Sequence, residues 1–194
     1  EGLEQRSGVV RGIVPDEVVF TENQLIFRTN LHSGQKTGYF LDQKYNRRAL
    51  APYAQGARVL DAFCHVGSFS IHAASYGAKQ VVGIDISEEA AQAARTNAAL
   101  NGFEQTCSFV SENAFDYLRN HAQQQEKYDL IILDPPAFTK NKASINAALR
   151  GYKEINLRGF KLLTENGVMV TCSCSHHISL AMFQKIVEEA AADA

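Results

Sequence analysis

Between residues 58 and 172 the chain alternates short apolar runs with amphipathic stretches, and that alternation restricts the fold more than any other feature. Arg58–Asp61, Gln80–Asp85, Thr106–Val110, Tyr128–Asp134 and Gly167–Cys172 have strand length and composition. Ser68–Tyr76, Glu88–Asn101, Ala114–Gln124 and Ala143–Leu163 carry helical patterning between them. Strands that alternate with helices build a parallel sheet covered on both faces, because each crossover must return the chain to the same sheet edge. The expected class is therefore α/β, a doubly wound and mostly parallel sheet. Ser87 is placed to cap one helix, Glu88 and Glu89 sit in its first turn, and Gly102 ends it. A last helix is expected over about Ser179–Ala192, and a sheet of this type normally continues after it, so the final strands are expected to be missing.

The first 31 residues read differently. The runs Val9-Val10, Val18-Val19-Phe20 and Leu25-Ile26-Phe27, broken by Gly12, Pro15 and Glu22-Asn23, predict a β-hairpin. Ser33 to Arg48 then reads as a glycine-bearing loop entering an amphipathic helix whose aromatic, amide and guanidinium groups suit a site wall. Residues 1–50 are thus expected to form an extension and residues 51–194 the main domain.

With 194 residues, 45% hydrophobic and 21% charged, the chain can bury one sizeable core. No apolar run approaches the ~20 residues of a membrane span and no leader pattern is present, so the cytoplasm is the expected location. Cys64, Cys107, Cys172 and Cys174 lack framework spacing and read as free thiols of a reducing compartment. The net charge of −2 hides a local excess: Lys140, Lys142, Arg150, Lys153, Arg158 and Lys161 face only Glu154 in their stretch, and Lys36, Lys44, Arg47 and Arg48 face only Asp42. Such clusters suit a polyanion or, equally, a solvated helix face.

The stretch Val59 to Phe69 is a strand ending at a carboxylate, Asp61, followed by a tight turn into a helix. In open α/β sheets ligands sit beyond the carboxyl ends of the strands at such turns. A dinucleotide fingerprint needs three glycines there, and only Gly67 is present, with Phe63 and His65 in the other places. Side chains at those positions obstruct a pyrophosphate but not a ligand without phosphates. Asp85, 24 residues after Asp61, ends the second strand, where a carboxylate can accept ribose hydroxyls or charge the next helix. Asn113 is suited to a purine edge or, more simply, to a helix cap. Asp134-Pro135-Pro136 holds a carboxylate rigidly at the crevice mouth, because two prolines remove two donors and impose extended backbone. The fifth strand brings Cys172 and Cys174 to the same face with period two, Cys174 further out. Cys174 reads as a nucleophile opposite Asp134 or as a structural thiol. Zinc ligation by Cys172, Cys174, His176 and His177 is the weakest alternative, since ligands packed this closely do not match usual spacings. No metal is expected.

Taken in order, Asp61-Ala62-Phe63-Cys64-His65-Val66-Gly67-Ser68-Phe69, Asp85, Asp134-Pro135-Pro136-Ala137-Phe138 and Thr171-Cys172-Ser173-Cys174-Ser175 resemble the class I S-adenosylmethionine-dependent methyltransferases. More closely they resemble the bacterial large-subunit ribosomal RNA cytosine-C5 methyltransferases. Thr37 to Gln43 and Arg150 to Asn156 are also similar to that group. The resemblance implies a Rossmann-like fold and S-adenosylmethionine as cofactor. It implies Asp61, Phe63 and Gly67 at the cofactor's amino-acid part, Asp85 at its ribose, Asn113 and Ala114 by its adenine, and Ile86, Gln43 and Asp134 in the same binding set. It further implies Cys174 as the thiolate that attacks carbon 6 of a cytosine and Asp134 as the acid at ring nitrogen 3. Ribosomal RNA is the implied partner, with Phe138 as a stacking platform and Lys140, Lys142, Arg150 and Lys153 at phosphates. Oligomeric state stays open, a homodimer included. One departure is Ala137, where some RNA cytosine methyltransferases place a second cysteine that assists release. An amino-group methyltransferase acting on adenine or guanine is the alternative enzyme, although its aromatic would directly follow the prolines. A non-catalytic RNA-binding relic of the fold is the alternative outside enzymes.

Overall fold

The computed structural model describes residues 8, 9, 11–31, 38–139 and 141–194. In chain order its elements are β1 (Glu17–Glu22), β2 (Leu25–Asn30), α1 (Lys44–Arg48), α2 (Ala51–Ala54), β3 (Arg58–Ala62), α3 (Ser68–Ser75), β4 (Gln80–Asp85) and α4 (Glu88–Leu100). They continue with β5 (Cys107–Ser111), α5 (Ala114–Gln123), β6 (Tyr128–Leu133), α6 (Ile145–Leu162), β7 (Leu163–Thr171) and α7 (Leu180–Ala192). The main sheet runs β5-β4-β3-β6-β7 and all four pairings are parallel. Strand order reverses between β3 and β6, which is where a crevice opens in a doubly wound sheet. The class expected from the alternation is the one observed.

Period two along the strands sorts the core into two layers. Val59, Val81, Cys107, Phe109, Leu130 and Ile132 face the layer holding α3 and α4. Leu60, Val82, Ile84, Ile131 and Leu133 face α5 and α6. The inner strands β3, β4 and β6 are buried on both faces, which is why they are nearly continuously apolar, whereas edge strand β5 alternates buried and exposed residues.

The hairpin forms as expected, with Asn23 and Gln24 at φ 50° and 70° in the two-residue turn. Two asparagines of α4 hold it. Asn97 accepts from the Arg28 amide, and Asn101 accepts from the Ile26 amide while donating to the Ile26 carbonyl. One helical turn therefore spans two strand residues and satisfies the strand edge. Below it, Arg47 and Glu22 form a fully buried ion pair at 2.6 and 2.9 Å. The Tyr39 hydroxyl donates to the same carboxylate at 3.0 Å and the His72 ring lies 3.6 Å away.

Two expectations need adjustment. The helix entering from the glycine-bearing loop is short, five residues after a single 3-10 turn at Leu41–Gln43. Strand β7 starts at Leu163 rather than Gly167, because a bulge intervenes: Tyr128 pairs with Leu163 and Leu130 already with Val168. Residues 32–37 of the loop and Lys140 lie outside the described residues. No described helix is long and apolar enough to cross a membrane.

Candidate active site

The turn after β3 is built without the usual glycines and is held by other means. Phe63 and His65 adopt φ 72° and 49°, the left-handed region that costs a side-chain-bearing residue about 1–2 kcal/mol. Their side chains offset this strain. Phe63 packs edge-on to Phe115, and His65 packs edge-on to Phe40. The His65 amide donates to Asp85 at 2.9 Å, and the Cys64 amide donates to the Ile84 carbonyl. Gly67 alone is obligatory: at φ 78°, a Cβ would stand 2.9 Å from Ala94 and 3.1 Å from the Phe109 ring.

Three carboxylates end neighbouring strands. Asp61 is fully buried, and its Oδ2 accepts from the Ser70 amide and hydroxyl at 3.0 and 2.6 Å. Its Oδ1 has no partner among the described residues. Burial, then the charges of Asp134 and Asp85, push its carboxyl up to about 7 despite the Ser70 bonds. Asp85 is spread between the His65 and Ser87 amides, both at 2.9 Å, with Ile86 beside it 72% exposed. Asp134 is half-buried; burial and the nearby Asp42 push it up to about 6, against hydrogen bonds from Gln43 and Cys172 and the charge of Arg47.

Cys172 and Cys174 flank a serine, and their environments differ. Cys172 is half-buried against Asp134, and burial pushes its thiol up to about 12, so it stays protonated and donates to the carboxylate. Cys174 is exposed, with its sulfur 3.6 Å from the Pro135 carbonyl oxygen. The fully buried Tyr152 of α6 fixes this segment. Its hydroxyl bonds Ser173 at 3.0 Å and Ser175 at 2.9 Å, and the Ser175 hydroxyl accepts from the Phe138 amide at 3.0 Å. The segments Asp134–Phe138 and Ser173–Ser175 are thus stapled side by side. Cys64 and Cys107 are buried, and burial drives both thiols upward. Among the described residues Cys172, Cys174, His176 and His177 do not gather into a group that could hold a metal ion.

The structure therefore brings Asp61, Phe63, Gly67, Asp85, Ile86, Gln43, Asp134 and Cys174 to one edge of the sheet. Asn113 fills the capping role, one of its two sequence readings. Its side chain caps α5 by accepting from the Phe115 amide at 2.9 Å, and Ala114 is buried. Phe138 is half-buried in a row of rings, 5.7 Å from Phe115 and 4.6 Å from Tyr152. Lys153 is tied to Asp193 at 2.8 Å and Glu189 at 3.7 Å on α7, and Arg158 to Glu154 at 2.9 Å, so the basic stretch is partly neutralised from within. Arg150 is exposed. Sequence reasoning missed Tyr152 as part of the site's support, and it placed Cys172 and the Arg47 stretch at the site without naming their partners. The flanking serines Ser173 and Ser175 were the visible signal for Tyr152.

A family model described as S-adenosylmethionine-dependent methyltransferase matches residues 11–194. The ribosomal RNA large subunit methyltransferase I of Aeromonas hydrophila is 45% identical over 197 residues, covering 100% of this chain and 50% of its own. That of Tolumonas auensis is also 45% identical over 197 residues, with the same coverage of 100% and 50%. The chain thus spans about half the length of these relatives. Among solved structures, a methyltransferase complexed with SAH superposes with a TM-score of 0.82 at 26% identity, over 94% of this chain and 48% of the other. The SAM-dependent methyltransferase of Agrobacterium tumefaciens, at 20% identity over 93% of this chain and 60% of its own, shares the fold with a TM-score of 0.81.

Proposed function

Because the chain belongs to the family of S-adenosylmethionine-dependent methyltransferases, we propose that it methylates carbon 5 of a cytosine in large-subunit ribosomal RNA through a covalent bond to Cys174. The named relatives supply the RNA class. The position on the base is read from the exposed Cys174 after β7, whose sulfur lies at the carbonyl of Pro135, the residue after Asp134.

The residues present fit the cofactor. Asp61, Asp85 and Asp134 gather carboxylates at one sheet edge, and one oxygen of Asp61 lacks a partner among the described residues. That is an environment for a cation, and S-adenosylmethionine carries both a sulfonium and an ammonium. The turn that obstructs phosphates does not obstruct it. Asp61, Phe63 and Gly67 would hold its amino-acid part and Asp85 its ribose; exposed Ile86, with Asn113 and Ala114, would meet its adenine. Bound there, the cofactor supplies an electrophilic methyl group.

On this reading the protein's own steps are these. The Cys174 thiolate forms a bond to carbon 6, and the displaced electron pair makes carbon 5 nucleophilic. Asp134, with its carboxyl raised to about 6, gives a proton to ring nitrogen 3 and so neutralises the charge that this addition creates. Once carbon 5 carries its methyl group, its proton passes to water, the ring double bond re-forms with expulsion of the thiolate, and ring nitrogen 3 returns its proton to Asp134. Ala137 offers no group for that last step. Arg150 and the exposed edge of Phe138 are assigned to RNA, as are Lys140 and Lys142; Lys153 must first leave its α7 partners.

The single observation behind this reading is the exposed Cys174 sulfur held one residue from Asp134, at the Pro135 carbonyl. The test is methyl transfer to large-subunit ribosomal RNA followed by nucleoside analysis. The reading expects 5-methylcytosine, lost in Cys174→Ala with cofactor binding retained. Methylation of an adenine or guanine amino group, or unchanged transfer by Cys174→Ala, overturns it.

A further inference from the structure

Asp134 is approached from an unexpected direction. The 3-10 turn and α1 lie far from it in sequence, yet Gln43 donates from Nε2 to Asp134 Oδ2 at 3.1 Å across 91 positions. The same amide also contacts the Cys172 thiol. An amide side chain can present either its NH2 or its oxygen, and here a second residue fixes the choice. Asn46, exposed and one helical turn on, donates to Gln43 Oε1 at 2.6 Å. With its oxygen held by Asn46, Gln43 turns its donor to the carboxylate. Arg47, the next residue, anchors the helix through Glu22 and the Phe40 carbonyl.

We propose that Gln43, its amide orientation fixed by Asn46, is a positioning residue that sets the direction and charge state of the Asp134 carboxyl. This rests on the reading of Asp134 as the acid at the base, and it moves Gln43 from the cofactor set to the acid's support. The amide acts on the carboxyl because a donor stabilises the ionised form. The other groups facing Asp134 are Asp42 from the 3-10 turn, Asp61 from β3, Arg47 from α1 and Cys172 after β7. Asp42 and Asp61 oppose ionisation; Arg47 and the thiol favour it. Gln43 is the neutral donor that holds Asp134 in reach of these charges without adding one.

The experiment is a carbon-13 NMR titration of the Asp134 carboxyl in the whole protein, without RNA, for wild type, Gln43→Leu and Asn46→Ala. Loss of the donor raises the Asp134 midpoint by about one pH unit in Gln43→Leu, and Asn46→Ala raises it by roughly half as much. Asn46 is exposed, so its variant carries the test should Gln43→Leu not fold. Binding of S-adenosylmethionine, followed by calorimetry, stays within about twofold of wild type in both, a difference near 0.4 kcal/mol. An unmoved Asp134 midpoint in Asn46→Ala and in any folded Gln43→Leu overturns the proposal, as does loss of cofactor affinity with the midpoint unmoved. Because the titration is read without substrate, it stands whichever base proves to be methylated.

Discussion

Replacing Arg47 with methionine isolates the contact that joins the hairpin to α1. Arg47 is fully buried and Glu22 is 3% exposed, with two hydrogen bonds at 2.6 and 2.9 Å between them. Methionine keeps most of the apolar stem but leaves a buried carboxylate without its cation. Breaking such a pair from one side costs about 3–5 kcal/mol, a large part of a domain's total of roughly 5–15. Burial by itself would raise the Glu22 carboxyl; the Arg47 hydrogen bonds and charge, with help from Tyr39, reverse this and hold it below the usual range. A depressed carboxylate contributes stability above its unfolded pKa and loses it as pH falls through the folded value. The deficit of Arg47→Met is therefore full at pH 7 and narrows in acid, where a protonated Glu22 no longer needs the cation. Urea unfolding followed by circular dichroism at pH 7 and pH 4.5 measures both quantities. The double variant Glu22→Met with Arg47→Met should recover more than half of the loss, because an apolar pair replaces a charged one without leaving an orphan. A loss below about 1 kcal/mol at pH 7, or one that grows in acid, refutes the reasoning.

Other outcomes follow from single contacts. Tyr152→Phe removes the hydroxyl that bonds Ser173 and Ser175, so kcat should fall about tenfold while cofactor affinity holds, as for an aligned group displaced by a fraction of an ångström. Gly67→Ala places a Cβ 2.9 Å from Ala94 at φ 78° and should cost about 2–4 kcal/mol in thermal or urea unfolding. Asn113→Ala removes the α5 cap and should cost about 1 kcal/mol in the same assays. The kcat/KM profile should rise with pH below about 6, where Asp134 is protonated and only thiolate formation varies, and level off above it as Asp134 loses the proton it donates; Asp134→Asn removes that break.

How much of this was legible in the sequence depended on how local each signal was. Strand β4 has the bounds its apolar run predicts, and Ser87 caps α4 through a bond from the Ala90 amide, since periodicity and capping are fixed by near neighbours. The start of β7 was not legible, because its bulge depends on pairing with β6, about 35 residues earlier. Charge counting could not show that Arg47 is buried or that Lys153 already has acidic partners. Their partners, Glu22 on the hairpin and Asp193 on α7, become neighbours only in the folded chain. Period two already put Cys174 further out than Cys172, but the pairing of Cys172 with Asp134 and the bonds from Tyr152 and Gln43 join residues far apart in sequence, which no spacing reveals.

The covalent step is the claim that everything else supports, and it can be caught directly. RNA carrying 5-fluorocytosine at the target position cannot lose its carbon 5 substituent as a proton, so a thiol bonded to carbon 6 stays attached after methyl transfer. Incubated with S-adenosylmethionine and resolved by denaturing electrophoresis and peptide mass spectrometry, the wild type and Cys172→Ala should give a stable adduct on Cys174, and Cys174→Ala none. An adduct on Cys172, or one that persists in Cys174→Ala, would contradict the account.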